Sequence, residues 1–156
     1  MNFEGTISIN SPRTKVWDLL LDIDRFAACV PGVESVTQVD DKTFDGVIQA
    51  AVGPMSGKFS FRAQIVETTP PREMVTELNG TDSVTKSTVS SSTTMTLEAL
   101  SDQQTELRYV STVDIRGRLA ILGDMVMRAT ATLMLEEFGN RVRRELESES
   151  AEPGVG

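Results

Sequence analysis

Hydrophobic and polar residues alternate with a period of two along most of this chain, and the period changes to that of a helix only near the start and at the end. From Met1 to Ile9 the alternation puts Phe3, Gly5, Ile7 and Ile9 on one side and Asn2, Glu4, Thr6 and Ser8 on the other, which predicts a half-buried strand. Ser11-Pro12 then predicts an N-cap and a proline at the first helical position, and Val16, Leu19, Leu20 and Ile23 follow at helical spacing with Trp17 beside them. Asp22 predicts the cap of a second short helix through Cys29, which Pro31-Gly32 ends.

Between Val33 and Arg116 the chain reads as six strands separated by Asp40-Asp41, Gly53-Pro54, Thr69-Pro70-Pro71, Asn79-Gly80 and Ser101-Asp102. Phe44, Gly46, Ile48, Ala50 and Val52 share one face, as do Phe59, Phe61, Ala63 and Ile65. Met74, Thr76 and Leu78 continue the series, followed by Val89, Ser91, Thr93, Met95 and Leu97 and by Leu107, Tyr109, Ser111, Val113 and Ile115. The opposite parity carries Arg62, Gln64, Glu77, Glu98, Glu106, Arg108 and Asp114, as expected of an antiparallel sheet with one face in water.

A long helix is predicted to begin between Arg118 and Gly123 and to end near Glu147. Leu119, Leu122, Val126, Thr130 and Leu133 form one stripe, with Met127, Ala131, Met134, Leu135, Phe138 and Val142 as a second beside it, a wide apolar face. Residues 148–156 are polar and rich in breakers, and read as a flexible tail or a linker cut short. The chain is therefore expected to be α+β, with one domain over residues 1–147. A seven-stranded curved antiparallel sheet wraps around the long C-terminal helix, and two short helices follow the first strand, a helix-grip arrangement. A flat sheet with every helix packed tightly against it fits the same pattern.

Composition narrows the chemistry. A chain of 156 residues can bury roughly 70% of its unfolded surface, enough for a real core. The formal net charge of −8 excludes nucleic-acid binding through clustered phosphate contacts. One cysteine, with no charged-then-apolar leader and no apolar run near the ~20 residues of a membrane span, predicts a cytoplasmic protein. Histidine is absent, which removes the commonest general base and metal ligand. The acidic pairs Asp40-Asp41, Asp22/Asp24 and Glu136-Glu137 fall in turns, caps or helix surfaces, and Gly53-Pro54-Met55-Ser56-Gly57 has the wrong spacing for a phosphate loop. Cys29, with no histidine to activate it, reads as a small buried apolar residue. Met55, Met74, Met95, Met125, Met127 and Met134 are assigned to the facing sheet and helix surfaces, among the small polar residues Ser91, Thr93, Ser111 and Thr130. Flexible thioethers with a few hydroxyls predict a cavity rather than a filled core.

The order of elements and several phrases resemble the CoxG family of carbon monoxide dehydrogenase subunits, a START-like (SRPBCC) family of helix-grip proteins. The phrases are Phe3-Glu4-Gly5, Ser11-Pro12-Arg13 with Val16-Trp17, Cys29-Val30-Pro31-Gly32-Val33-Glu34, Val52-Gly53-Pro54, Pro70-Pro71-Arg72 and Gly117-Arg118-Leu119-Ala120-Ile121-Leu122-Gly123, spread from Met1 to about Leu146. The resemblance implies a non-enzymatic accessory protein whose partner is an aerobic molybdenum hydroxylase of the carbon monoxide dehydrogenase type. It also implies a hydrophobic ligand such as a quinone, menaquinone or ubiquinone, and a place at the inner face of the cytoplasmic membrane.

The expected cavity lining is Phe59, Phe61, Met95, Tyr109, Leu119, Leu122, Val126, Met127, Thr130 and Leu133, with Val30, Pro31, Gly53 and Pro54 as its lip. Tyr109 is the candidate to hydrogen-bond a ring carbonyl. Arg141, Arg143 and Arg144 are the candidates for docking a partner's acidic surface or lipid headgroups. Two other readings use the same residues: a docking module without a small-molecule cargo, and a START-like cyclase or hydrolase working through a pocket carboxylate.

Overall fold

The structure is a computed structural model and describes residues 1–151. Its strands are β1 (Asn2–Ile9), β2 (Val33–Asp40), β3 (Thr43–Val52), β4 (Met55–Thr69), β5 (Glu73–Asp82), β6 (Ser87–Ser101) and β7 (Gln104–Arg116). They form one antiparallel sheet in the order β1-β7-β6-β5-β4-β3-β2. Consecutive strands after β1 are thus hairpin neighbours, and β1 joins the free edge of β7. Register shifts at Val33/Ser35, Gln38/Asp40, Ile65/Glu67 and Ala99/Ser101 mark bulges, and bulges bend long strands such as β4 and β6.

Helices α1 (Arg13–Leu21) and α2 (Ile23–Cys29) follow β1. Asp22 caps α2 as expected, its carboxylate accepting from the Arg25 N–H. Ser11 does not cap α1. Pro12 is itself the N-cap, with its carbonyl accepting from the N–H groups of Lys15 and Val16. Ser11 is instead drawn into the core, where its carbonyl accepts from the Thr105 hydroxyl at 2.8 Å.

The predicted last helix is two segments. Arg118–Leu122 is a 3₁₀ turn, and α3 (Asp124–Ala151) starts only after Gly123, whose φ of 85° breaks the helical phase. At the other end α3 runs on through Ala151, past the predicted stop near Glu147, so the expected tail is helical where it is described. The remainder of that tail, 152–156, lies outside the described residues.

Two apolar clusters hold the sheet to the helices. The larger joins Ile7, Ile9, Val16, Trp17, Leu19, Leu97, Leu107, Val142 and Leu146, and the smaller joins Val52, Phe59, Leu119 and Met127. Each such side chain contributes about 1.5–3 kcal/mol on full burial, so the larger cluster carries most of the fold's hydrophobic stabilisation.

Candidate functional site

A cavity of about 390 Å³ lies between the sheet and α3, and members of both clusters line it. α3 supplies Met127, Ala131, Met134, Leu135 and Phe138; α1, α2 and the turn after them supply Leu20, Leu21, Ile23, Phe26, Val30 and Pro31. From the sheet come Met1, Phe3, Met74, Met95, Leu107, Val113 and Ile115, together with a polar strip of Thr76, Ser91, Thr93, Tyr109 and Ser111. Five of the seven methionines, Met1, Met74, Met95, Met127 and Met134, are in this wall. Their unbranched side chains can repack around different apolar shapes.

The hydroxyls are arranged rather than scattered. Thr93 and Ser111 are opposite each other in the β6–β7 register, and their oxygens are 2.8 Å apart. Tyr109 lies across Gly5, its direct partner on β1: a Cβ at Gly5 would collide with the phenol oxygen. No hydrogen bond to that phenol occurs among the described residues, so it is available to a ligand. The titratable side chains of the wall are Tyr109 and the exposed Glu77.

Of the residues expected to line the cavity, Met95, Tyr109 and Met127 do, as do Val30 and Pro31 of the expected lip. The others are placed differently, for identifiable reasons. The 3₁₀ turn and Gly123 separate Leu119 and Leu122 from α3, so the first stripe never forms a single helix face. Leu119, Leu122 and Val126 pack with Phe59 in the smaller cluster, sealing one end of the molecule. Phe61 packs under Gly46 and Gly80, where the missing side chains leave room for its ring. Thr130 donates back to the Val126 carbonyl at 3.1 Å, and Leu133 points to solvent at 67% exposure. Gly53 touches Val126 at the start of α3, and Gly53-Pro54 belongs to that sealed end rather than to the lip.

Met125, assigned to the facing surface, is 84% exposed, and Met55 joins the smaller cluster. The second stripe is the lining one, and Val142 and Leu146, both 0% exposed, fix its phase. What sequence reasoning missed is the share of Leu20, Ile23 and Phe26. Its only signal was an apolar surplus on the two short helices.

The arginines expected to dock a partner have partners within the chain. Arg141 donates to Glu137 at 2.9 Å and to the Ala28 carbonyl, Arg143 donates to the Ser8 carbonyl at 2.9 Å, and Arg144 donates to Glu137 at 3.0 Å. These bonds fasten α3 to α2 and β1. Glu137 is held below the usual carboxylate range, chiefly by the Arg141 hydrogen bond. Cys29 is 3% exposed, and burial, reinforced by Glu145, pushes its thiol up.

A buried polar knot ties the sealed end together. Asp82 accepts from the main-chain N–H groups of Lys58, Val84 and Thr85 and from the Thr85 hydroxyl. Ser87 accepts from the Leu119 N–H at 3.1 Å. The β5–β6 turn thereby holds the 3₁₀ segment in place.

Among the described residues no helix is long and apolar enough to cross a membrane, and no group of three or more Cys, Asp or Glu side chains could hold a metal ion. Comparison with known structures gives the same fold at low identity. A conserved protein from Geobacillus kaustophilus matches with a TM-score of 0.89 and 20% identity, over 96% of this chain and 97% of that one. The Zhui aromatase/cyclase from Streptomyces sp. R1128 matches with a TM-score of 0.75 and 16% identity, over 99% and 98%. A START superfamily protein from Mycobacterium smegmatis matches with a TM-score of 0.72 and 12% identity, over 95% and 98%. Comparison with curated protein sequences finds no match. The family model for CoxG, a subunit of carbon monoxide dehydrogenase, matches residues 5–147, and this chain, a START-like helix-grip protein, belongs to that family.

Proposed function

We propose that this protein is a non-catalytic carrier that accompanies an aerobic, molybdenum-containing carbon monoxide dehydrogenase and holds a quinone, menaquinone or ubiquinone, between its sheet and α3. One observation carries the reading: a cavity of about 390 Å³ whose wall is apolar and methionine-rich on the helix side and carries free or mutually paired hydroxyls on the sheet side. That volume lies within the roughly 300–1,000 Å³ of small-molecule pockets, and it admits a ring and the first part of an isoprenoid tail. The tail supplies apolar area to bury, and a ring carbonyl accepts a hydrogen bond from the Tyr109 phenol.

A carrier suits the wall better than a catalyst does. Acid–base chemistry needs a carboxylate or imidazole held against the substrate, and the single carboxylate of the wall, Glu77, faces water instead. Exchange with a membrane would use the exposed apolar side chains Val84, Ile121 and Met125 at the sealed end, 79%, 82% and 84% exposed.

Native mass spectrometry of lipid-free protein mixed with menaquinone-4 tests the proposal. One quinone per chain, lost in the cavity-filling variant Ala131→Phe, supports it; a spectrum without adduct for the unaltered protein overturns it.

A further inference from the structure

A second depression, of about 500 Å³, lies outside the cavity between β1 and α3. β1 is an edge strand. Met1 and Val113 exchange both of their main-chain hydrogen bonds, at 2.7 and 2.8 Å. In an antiparallel ladder such pairs recur every second residue, so Phe3, Gly5 and Ile7 bond to β7 while Asn2, Glu4, Thr6 and Ser8 turn their N–H and C=O groups to the open edge. Two of these carbonyls are taken by α3: Arg128 donates to Asn2 at 3.1 Å and Arg143 to Ser8 at 2.9 Å. Between these two pins the outward groups of Glu4 and Thr6 have no hydrogen bond among the described residues, and they lie in the depression.

The depression and the cavity share a wall. Phe3, Tyr109 and Leu135 line both, so a single layer of side chains separates them. Tyr109, laid across Gly5, carries its unbonded phenol to the edge strand, and Gly5 is what permits it. We propose that this depression is a side portal of the cavity and a polar subsite. A ligand whose apolar part fills the cavity passes between Phe3, Tyr109 and Leu135, and its carbonyl or hydroxyl end is held by the outward N–H groups of Glu4 and Thr6 and by the Tyr109 phenol. An added peptide strand is a poorer occupant, because the arginine pins leave only two residues of open edge and strand addition needs a longer ladder.

The inference rests on the carrier reading, and the test separates the two. Lipid-free full-length protein is titrated with menaquinone-4 and with squalene, a hydrocarbon of similar length that has no hydrogen-bond acceptor. Thr6→Pro deletes one outward N–H without deleting a ladder bond, since proline is tolerated at an edge where the N–H faces away from the sheet. The variant should bind menaquinone-4 about five- to tenfold more weakly, the worth of one hydrogen bond, and squalene within about twofold of the unaltered protein. Equal weakening of both ligands, or of neither, overturns the subsite while leaving the carrier intact; binding of neither ligand by the unaltered protein overturns the carrier reading itself. If Thr6→Pro does not fold, Leu135→Trp decides, because bulk on the shared wall must slow menaquinone-4 uptake. An unchanged rate overturns the portal.

Discussion

Thr93 Oγ1 and Ser111 Oγ stand 2.8 Å apart across the β6–β7 ladder, a hydroxyl pair set in the wall of an otherwise apolar cavity. Each satisfies the other, which lets the sheet present polar groups there without leaving one orphaned. Thr93→Val or Ser111→Ala alone should cost about 1 kcal/mol of stability by stranding the partner, and the double variant should cost less than the sum of the two. Urea unfolding of the four proteins checks this, and strict additivity would show that the pair is not coupled.

The two helical stripes should separate by experiment. Leu119→Ala removes a side chain only 2% exposed from the smaller cluster and should cost about 2–4 kcal/mol. Leu133→Ser, at a position 67% exposed, should stay within about 0.5 kcal/mol of the unaltered protein. Thermal or urea unfolding of both variants is the check, and similar losses would mean that α3 is rotated from the phase described.

Asp82 should make stability pH-dependent on the acid side. Burial alone would push its carboxyl up, but the N–H groups of Lys58, Val84 and Thr85 and the Thr85 hydroxyl outweigh this and hold it below its ordinary value. A folded-state pKa below the unfolded one means the stabilisation is complete above the unfolded pKa, about 3.9, and is lost as pH falls through the folded value. Asp82→Asn should therefore lower Tm at pH 7, with the gap to the unaltered protein closing as the solution is acidified below about pH 4. A gap independent of pH would remove the charge from the explanation.

Cys29 should be inert. Burial, and then Glu145, raise its thiol pKa, so little thiolate exists at neutral pH and little of the sulfur is reachable. Iodoacetamide at pH 7 should label the folded protein far more slowly than the urea-unfolded chain; comparable rates would contradict the burial.

Strand parity, turn residues and the cap at Asp22 made nearly all of the sheet and both short helices legible in the sequence. The inward series from Phe44 to Ile115 reappears in the clusters and the cavity wall because a period of two leaves little freedom of phase once one face is apolar. The helix was harder. Leu119, Leu122 and Val126 look continuous with Thr130 and Leu133 only if Gly123 is helical, and its positive φ resets the phase. Ser11 reads as a cap by local rules, yet the long-range bond from Thr105 claims its carbonyl and buries it. The arginines of α3 look like a docking surface in one dimension, because their partners Ser8 and Ala28 lie more than a hundred residues away. Local chemistry was readable; contacts that close only in three dimensions were not.

The most direct test of the central claim is mass spectrometry of an organic extract from folded protein produced in a quinone-making host, beside a control protein from the same cells. The account predicts a quinone in the extract at close to one per chain, depleted in Ala131→Phe. An extract no richer in quinone than the control, from protein that also takes up none when it is added, would contradict it.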